Sequence, residues 1–399
     1  MKWADNLIST DKALTLILEQ LNPVERTEMV QILEASNRVL AEDIIATHNV
    51  PPFNRAAMDG YALNSADTKS ASQQNTVKLI ISGEIYAGDI SSHHVQPRSC
   101  MYIATGAVIP AGTDAVIRIE NTSISDGCIS INSPVRSFEN VAPAGEDIRS
   151  GKVVLNSGTL LSPARAGVLA SQGIEQVKVY SKPVVPVITT GDELAQPPEA
   201  LRPGQIYDVN NTTLRSLICL SGGFPVKLTG LGDSLKSLEQ GFEQALNGDM
   251  IVVSGGSSVG QKDYMSELLA SMGQIIFHGL NAKPGKPTLF AVVKGKPVLA
   301  LPGYPTSCLI NAYILLKPAI RKLARLPGND NRTIEAFLAG RISASKRRQF
   351  VTVELDGTRA RPTGKESGAI TATAYASGYI TVPENTEVSE GAPVKVTLF

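Results

Sequence analysis

The sequence predicts a multidomain chain of the α/β plus β class, and three observations carry that expectation. At 399 residues the chain is too long for one ordinary hydrophobic core. Between about 183 and 326, apolar strand runs alternate with helical patterns, the signature of a three-layer α/β domain with a mostly parallel sheet. Before and after it, at about 75–141 and 332–399, short alternating runs broken by turn residues predict β-rich domains.

Taken in order, Thr10 is placed to cap a first helix over "DKALTLILEQL", which ends before Asn22-Pro23. "EMVQIL" and "EASNRVLAEDI" predict a short apolar run and then a helix ending near Asp43. Asn37 interrupts it, and Asn is the non-glycine residue most at ease in a left-handed conformation. "PPFNRAAMDGYAL" (51–63) predicts a specified loop, because Pro51 and Pro52 lack N–H groups and have fixed φ. Gly60 after Asp59 predicts a positive φ or a close backbone approach, and Phe53 and Met58 are expected to pack the turn. "TVKLIISG", "CMYIATG", "DAVIRIEN" and "CISINS" read as strands, with Asp126-Gly127 as a hairpin turn. A helix is expected from Ser162-Pro163 and a short strand before Tyr180. "PVVPVIT", "DMIVVSGG", "QIIFHG" and "KPVLALPG" are the α/β strands; "NTTLRSLICLSGG", "SLKSLEQGFEQAL" and "TSCLINAYILLKPAIRKLARL" are its helices. "PGNDN" (327–331) reads as a linker, and Asp356-Gly357 as a further hairpin turn.

Lysine plus arginine equals aspartate plus glutamate, 37 each, which argues against a general nucleic-acid or anionic-membrane binder. Neither a signal pattern nor a bilayer-length apolar run is visible, and "CLINAYILL" is too short. Cys100, Cys128, Cys219 and Cys308 lie far apart and read as buried thiols of a reducing, cytoplasmic compartment.

In a mostly parallel sheet, ligands bind beyond the carboxyl ends of the strands. The loops expected there are "TTGDEL", with Asp192 and Glu193; "SGGSSVGQKDY", with Lys262 and Asp263; "GLNAKPGKP", with Lys283 and Lys286; and "LPGYPTS". Glycine- and serine-rich turns present N–H groups to phosphate, and carboxylates beside such turns suit Mg²⁺. Asp192, Asp263 and Asp233 are equally suited to cap helices; it is the gathering of these loops on one edge that points to a site.

Seven ordered motifs, "PPFNRAAMDGYAL", "ATGAVIPAGTDAVI", "GEDIRSG", "TTGDEL", "SGGSSVGQKDY", "KPGKPTLF" and "LPGYPTS", span essentially the whole chain and resemble the MoeA family of molybdopterin molybdenumtransferases, to which the C-terminal part of gephyrin is related. The resemblance implies an elongated four-domain homodimer with a MogA-like α/β domain and a β-barrel-like C-terminal domain. The implied boundaries are 22–50 with 142–180 for a linking domain, 51–141 for the β-rich domain, 1–21 with 181–326 for the α/β domain, and 327–399 for the last. The active site is expected where two subunits meet.

The same resemblance implies an enzyme of molybdenum cofactor biosynthesis. It would take adenylylated molybdopterin and molybdate, release AMP with the help of Mg²⁺, and leave molybdenum on the dithiolene. Catalytic roles fall to Asp59, Asp147, Glu193 and Asp263, and the metal to Asp192, Glu193, Asp233 and Asp263. Thr105, Gly106, Gly255, Ser257, Ser258, Gly260 and Pro302 are expected along the pterin and pyrophosphate. Lys283, Lys286 and Pro287 would hold molybdate, joined by Ser367 and by Arg347, with Arg348 as the alternative. A MogA-type adenylyltransferase and recipient molybdoenzymes are the implied protein partners.

The chain departs from the family pattern at Asn54, Arg55, Ala142, Tyr304, Thr352 and Glu366, removing some cations and adding an acid beside the oxyanion serine. Those departures keep open a relative that binds the pterin or scaffolds partners without turnover, and one that inserts tungstate.

Overall fold

The computed structural model describes residues 6–90, 93–191, 193–195, 198, 200–228, 235–255, 264–328, 331–364 and 368–399. The chain divides into two compact units. One comprises Met1–Met29, Asn37–Val39 and Lys178–Phe399; the other comprises Val30–Ser36 and Leu40–Val177.

The unit built on Leu40–Val177 carries a six-stranded sheet in the order Ala115–Arg118, Gly60–Leu63, Ser99–Ile103, Val77–Ile85, Cys128–Ile131, Ser123–Ser125. Gly60–Leu63, the end of the motif rich in prolines, is thus a central strand, antiparallel to both neighbours. The glycine is required by close approach and not by positive φ: a Cβ at Gly60 would lie 1.9 Å from the Ile117 carbonyl oxygen. Phe53 and Met58 do not pack the turn. They are 41% and 42% exposed, and backbone bonds stiffen the loop instead, Ala56 N–H to Ala107 and Gly106 N–H to Ala56. The Asp126-Gly127 hairpin has positive φ at both residues, 52° and 72°, as a type I′ turn demands.

The helix expected to end near Asp43 does not form. Only a 3₁₀ turn, Ile32–Glu34, precedes Asn37, whose φ is 61°. The N–H groups of Leu40 and Ala46 go to Thr159 and Lys152, and Ile44–Ile45 pairs with Val153–Leu155. Distant partners override a local helical pattern. The helix Pro163–Ser171 starts as expected, with Ser162 Oγ accepting from Arg165 N–H.

In the other unit the sheet order is Phe224–Leu228, Val184–Thr189, Ile251–Ser254, Lys296–Leu301, Leu289–Val293, Gly273–His278. The first four strands are mutually parallel and the last two form antiparallel pairs. Alternate residues feed two cores. Val185, Val187, Val252 and Leu299 pack with Leu214, Ile218, Leu315 and Ile320, whereas Ile188, Ile251, Val253 and Val298 pack with Leu238, Phe242 and Leu268. Strands apolar on both faces therefore make a sheet covered by helices on both sides.

The first helix, Thr10–Glu19, is capped by Ser9, whose Oγ accepts from Lys12 N–H. Thr10 is not the cap; it is buried, and its hydroxyl accepts from Arg348. The C-terminal strands close on themselves: Arg348–Asp356, Arg359–Pro362, Thr333–Leu338, Pro393–Leu398, Gly378–Val382 and back to Arg348–Asp356. That is a five-stranded barrel, and Ala282–Lys283 of the α/β region pairs in parallel with its first strand. No described helix is long and apolar enough to cross a membrane.

Candidate functional site

Three of the four nominated loops converge where the parallel strands end. The strands ending at Thr189, Ser254 and Leu301 are neighbours in register, with Thr189 opposite Ser254 and Ser254 opposite Leu301. Thr190 N–H donates to the Ser254 carbonyl, and Ser254 Oγ donates to the Pro302 carbonyl at 3.2 Å. Asn210 Nδ2 ties the set together by donating to Ser254 Oγ (2.9 Å) and to the Gly303 carbonyl (2.7 Å). Gly255 has φ of 101°, and a Cβ there would fall 2.3 Å from the Thr190 carbonyl oxygen, so only glycine lets these loops close on one another. Among the described residues, Thr190 Oγ1 and Asn210 Oδ1 are buried at this edge without a hydrogen-bond partner, and polar atoms of this kind suit a polar ligand.

The carboxylate set is only partly in view. Glu193 is exposed, and its carboxylate folds back to Gly191, where a Cβ would meet both Oε atoms at 2.7 Å. Asp192, Asp233, Ser257, Ser258, Gly260, Asp263 and Ser367 lie outside the described residues. Among the described residues no group of three His, Cys, Asp or Glu side chains is arranged to hold a metal.

The fourth loop supplies cations. Its turn is fixed by Leu280 N–H to the Lys286 carbonyl, Gly279 N–H to the Thr288 carbonyl, and Thr288 Oγ1 to the Gly285 carbonyl. Lys283 is exposed, while Lys286 and Pro287 are half-buried. Arg347 stands beside them, its Nη1 3.4 Å from the Ala282 carbonyl. The alternative, Arg348, is engaged elsewhere: its Nη1 donates to the Asp11 carboxylate and to Thr10 Oγ1. Arg348 also lines a cavity of about 810 Å³ between the first helix and Lys317–Leu323. That cavity contains none of the other nominated residues.

The remaining nominated residues belong to the other unit. Asp59 Oδ1 accepts from both Thr105 N–H and Thr105 Oγ1, each at 2.7 Å. The backbone bond first, and then the hydroxyl, hold the Asp59 carboxyl below the usual carboxylate range. Gly106 follows Thr105 with φ of 85°. Asp147 is exposed in the turn after Pro143, its N–H donating to Val50, and it lines a cavity of about 410 Å³. Arg55 is directly across a strand pair from Ala142, so the two departures face one another.

Family models match nearly the whole chain: the MoeA N-terminal region (domain I and II) over residues 8–173, a probable molybdopterin binding domain over 186–322, and the MoeA C-terminal region (domain IV) over 336–399. This chain belongs to the MoeA family. Its class of activity is accordingly that of a transferase in molybdenum cofactor biosynthesis. The molybdopterin molybdenumtransferase of Haemophilus influenzae is 38% identical over 319 residues, 79% of this chain and 78% of that one. That of Staphylococcus epidermidis is 31% identical over 390 residues, 95% of this chain and 92% of its own. Two solved structures of the molybdopterin biosynthesis MoeA protein of Pyrococcus horikoshii superpose with TM-scores of 0.85 and 0.83, at 37% and 32% identity. They cover 98% and 99% of this chain and 99% and 100% of theirs.

Within this MoeA chain, sequence reasoning missed Asn210, Ser254, Thr306 and Asn311. Asn311 sat unremarked inside a helical pattern, and an asparagine at such a position was the available signal, since it gains nothing from a helix interior; Asn210 stood just before one. Ser254 ended a strand and looked like turn chemistry. Thr306, whose hydroxyl donates to the Ala369 carbonyl at 3.0 Å, had no visible signal, because its partner lies 63 residues away.

Proposed function

We propose that this chain inserts molybdenum into the pterin by taking adenylylated molybdopterin and molybdate and releasing AMP. The observation that carries the reading is the pairing of two anion-receptive features in one unit: the closed strand-end crevice around Gly255 and Pro302, and the Lys283–Lys286 turn with Arg347 beside it. The crevice suits a pyrophosphate link; the turn suits a tetrahedral dianion, which needs concentrated cations and N–H donors.

Glu193, with Asp192, Asp233 and Asp263 outside the described residues, offers hard carboxylate oxygens, the donor type Mg²⁺ takes alongside substrate phosphates. Such a cation would polarise phosphoryl oxygens. Asp59 and Asp147, held in the other unit, which also carries Arg55, would be presented by a second copy of the chain in a homodimer. Arg55 would then offset two carboxylates facing an anionic substrate.

A second reading, binding of the pterin without turnover, is favoured by Tyr304. It stands where the family pattern has Asn, is 67% exposed, and its ring lies against Gly368, next to the segment of Ser367. The test is AMP release from adenylylated molybdopterin with Mg²⁺, with and without molybdate. Molybdate-dependent release that yields metal-loaded cofactor supports insertion; the same with tungstate preferred would change the oxyanion. Retention of the pterin with no AMP released would overturn insertion in favour of binding.

A further inference from the structure

We propose that Asn311 is the positioning residue of the oxyanion turn: its buried amide seats Gly285 and thereby sets the directions of Lys283 and Lys286. The inference rests on the reading of that turn as the molybdate site.

Asn311 is the last residue of the helix Pro305–Asn311, and the chain continues in a π-helical turn over Ala312–Leu316. Such turns are rare and recur at functional sites. The residue is fully buried. Its Nδ2 donates to the Ser307 carbonyl one turn back, at 2.9 Å, which anchors the amide to its own helix. Among the described residues its Oδ1 has no partner.

Gly285 rests on that amide. Its φ is 109°, and a Cβ built there would lie 1.6 Å from Asn311 Nδ2 and 2.6 Å from Oδ1. The Gly285 Cα is therefore in van der Waals contact with the amide, and the turn has no space to sink or tilt toward the helix. From the other side, buried Thr288 Oγ1 holds the Gly285 carbonyl at 2.9 Å. Lys283 and Lys286 flank this clamped glycine. The same helix begins at the turn that holds the Ala369 carbonyl through Thr306. One rigid element thus backs both the lysine turn and the segment adjoining Ser367.

An apolar side chain of similar volume would fill the space with no orphaned acceptor, and stability alone favours that choice. What an apolar residue cannot do is tether a flat polar group to Ser307 at the height the glycine needs. Placement of the turn accounts for an asparagine here.

The test measures molybdate binding directly by calorimetry, and the molybdate dependence of AMP release, for the wild type, Asn311→Ala, Gly285→Ala and the double variant. Asn311→Ala is expected to raise the half-saturating molybdate concentration about tenfold, with kcat at saturating molybdate changed less than twofold. Gly285→Ala is expected to abolish molybdate binding in the wild-type background, and to lose less in the Asn311→Ala background, because the two residues in contact are coupled. If Asn311→Ala fails to fold, Asn311→Thr carries the same comparison, since its hydroxyl can still reach the carbonyl one turn back. Equal molybdate affinity in the wild type and the Asn311 variant would overturn the proposal while leaving the molybdate site intact. A wild type that binds no molybdate would overturn the site and the proposal together.

Discussion

One neighbour lowers the carboxyl pKa of Asp59. Thr105 gives it both an N–H and a hydroxyl, and both bonds favour the charged form. A depressed carboxyl stays ionised until the pH falls through its lowered value. Thr105→Val keeps the N–H bond and loses the hydroxyl, so Asp59 should protonate at a higher pH. The acidic limb of the pH–rate profile for AMP release is expected to move toward neutral pH in that variant; an unmoved limb would separate Asp59 from the rate. The thiols make a second residue-scale prediction. Cys308 is fully buried, and burial pushes its thiol up to about 12, whereas Cys219 on the helix Val209–Leu220 is exposed. A thiol reagent at pH 8 should modify Cys219 rapidly and Cys308 only after unfolding, with the fast phase lost in Cys219→Ser. The expectation of four buried cysteines holds at Cys100 and Cys308, while Cys128 is half-buried and Cys219 is exposed on a helix, a place no spacing pattern revealed.

At the scale of elements, most boundaries were legible because their signals are local. Ser162-Pro163 starts a helix, Asp126-Gly127 turns a hairpin, and strands apolar throughout end up buried on both faces. The failed helix before Asp43 marks the limit, since its hydrogen-bond partners lie more than a hundred residues away. Gly60 shows how a strand can hinge on a single non-local contact, with Ile117. Gly60→Ala would drive a methyl into the Ile117 carbonyl, and should lower unfolding stability by about 3 kcal/mol in urea denaturation. Asp249 anchors the start of the strand Val184–Thr189 through its bond from Val184 N–H, and it pairs with Arg26 at 2.7 Å. Burial raises its carboxyl, but the Arg26 and Val184 bonds outweigh that and hold it below the usual range. Its contribution is therefore present above the unfolded carboxyl value and lost as pH falls through the folded one. Asp249→Asn should cost about 2 kcal/mol at pH 7, with the share from half-exposed Arg26 reduced by solvent screening. The difference between variant and wild type should shrink on acidification.

At the scale of the whole molecule, the nominated residues are held in two units. Under the proposed function, a second copy supplies Asp59, Asp147 and Arg55 to the first. Sedimentation equilibrium should then give twice the chain mass, and mixing Asp59→Asn with Asp263→Asn protein should restore part of the activity that each variant lacks alone. A monomer of full activity would dismiss the shared site. The sequence by itself determined the fold class, the strand-end loops and the family, because glycine turns, apolar periodicity and ordered motifs are local properties of the chain. Only the tertiary structure decided that Gly60 is a point of close approach, that Arg348 is committed to Asp11 while Arg347 stands by Lys283, that Arg55 faces Ala142, and that Asn311 lies beneath Gly285. Each of these joins residues distant in sequence, and such pairs are specified by how sheets and helices pack, which no single stretch of the chain encodes.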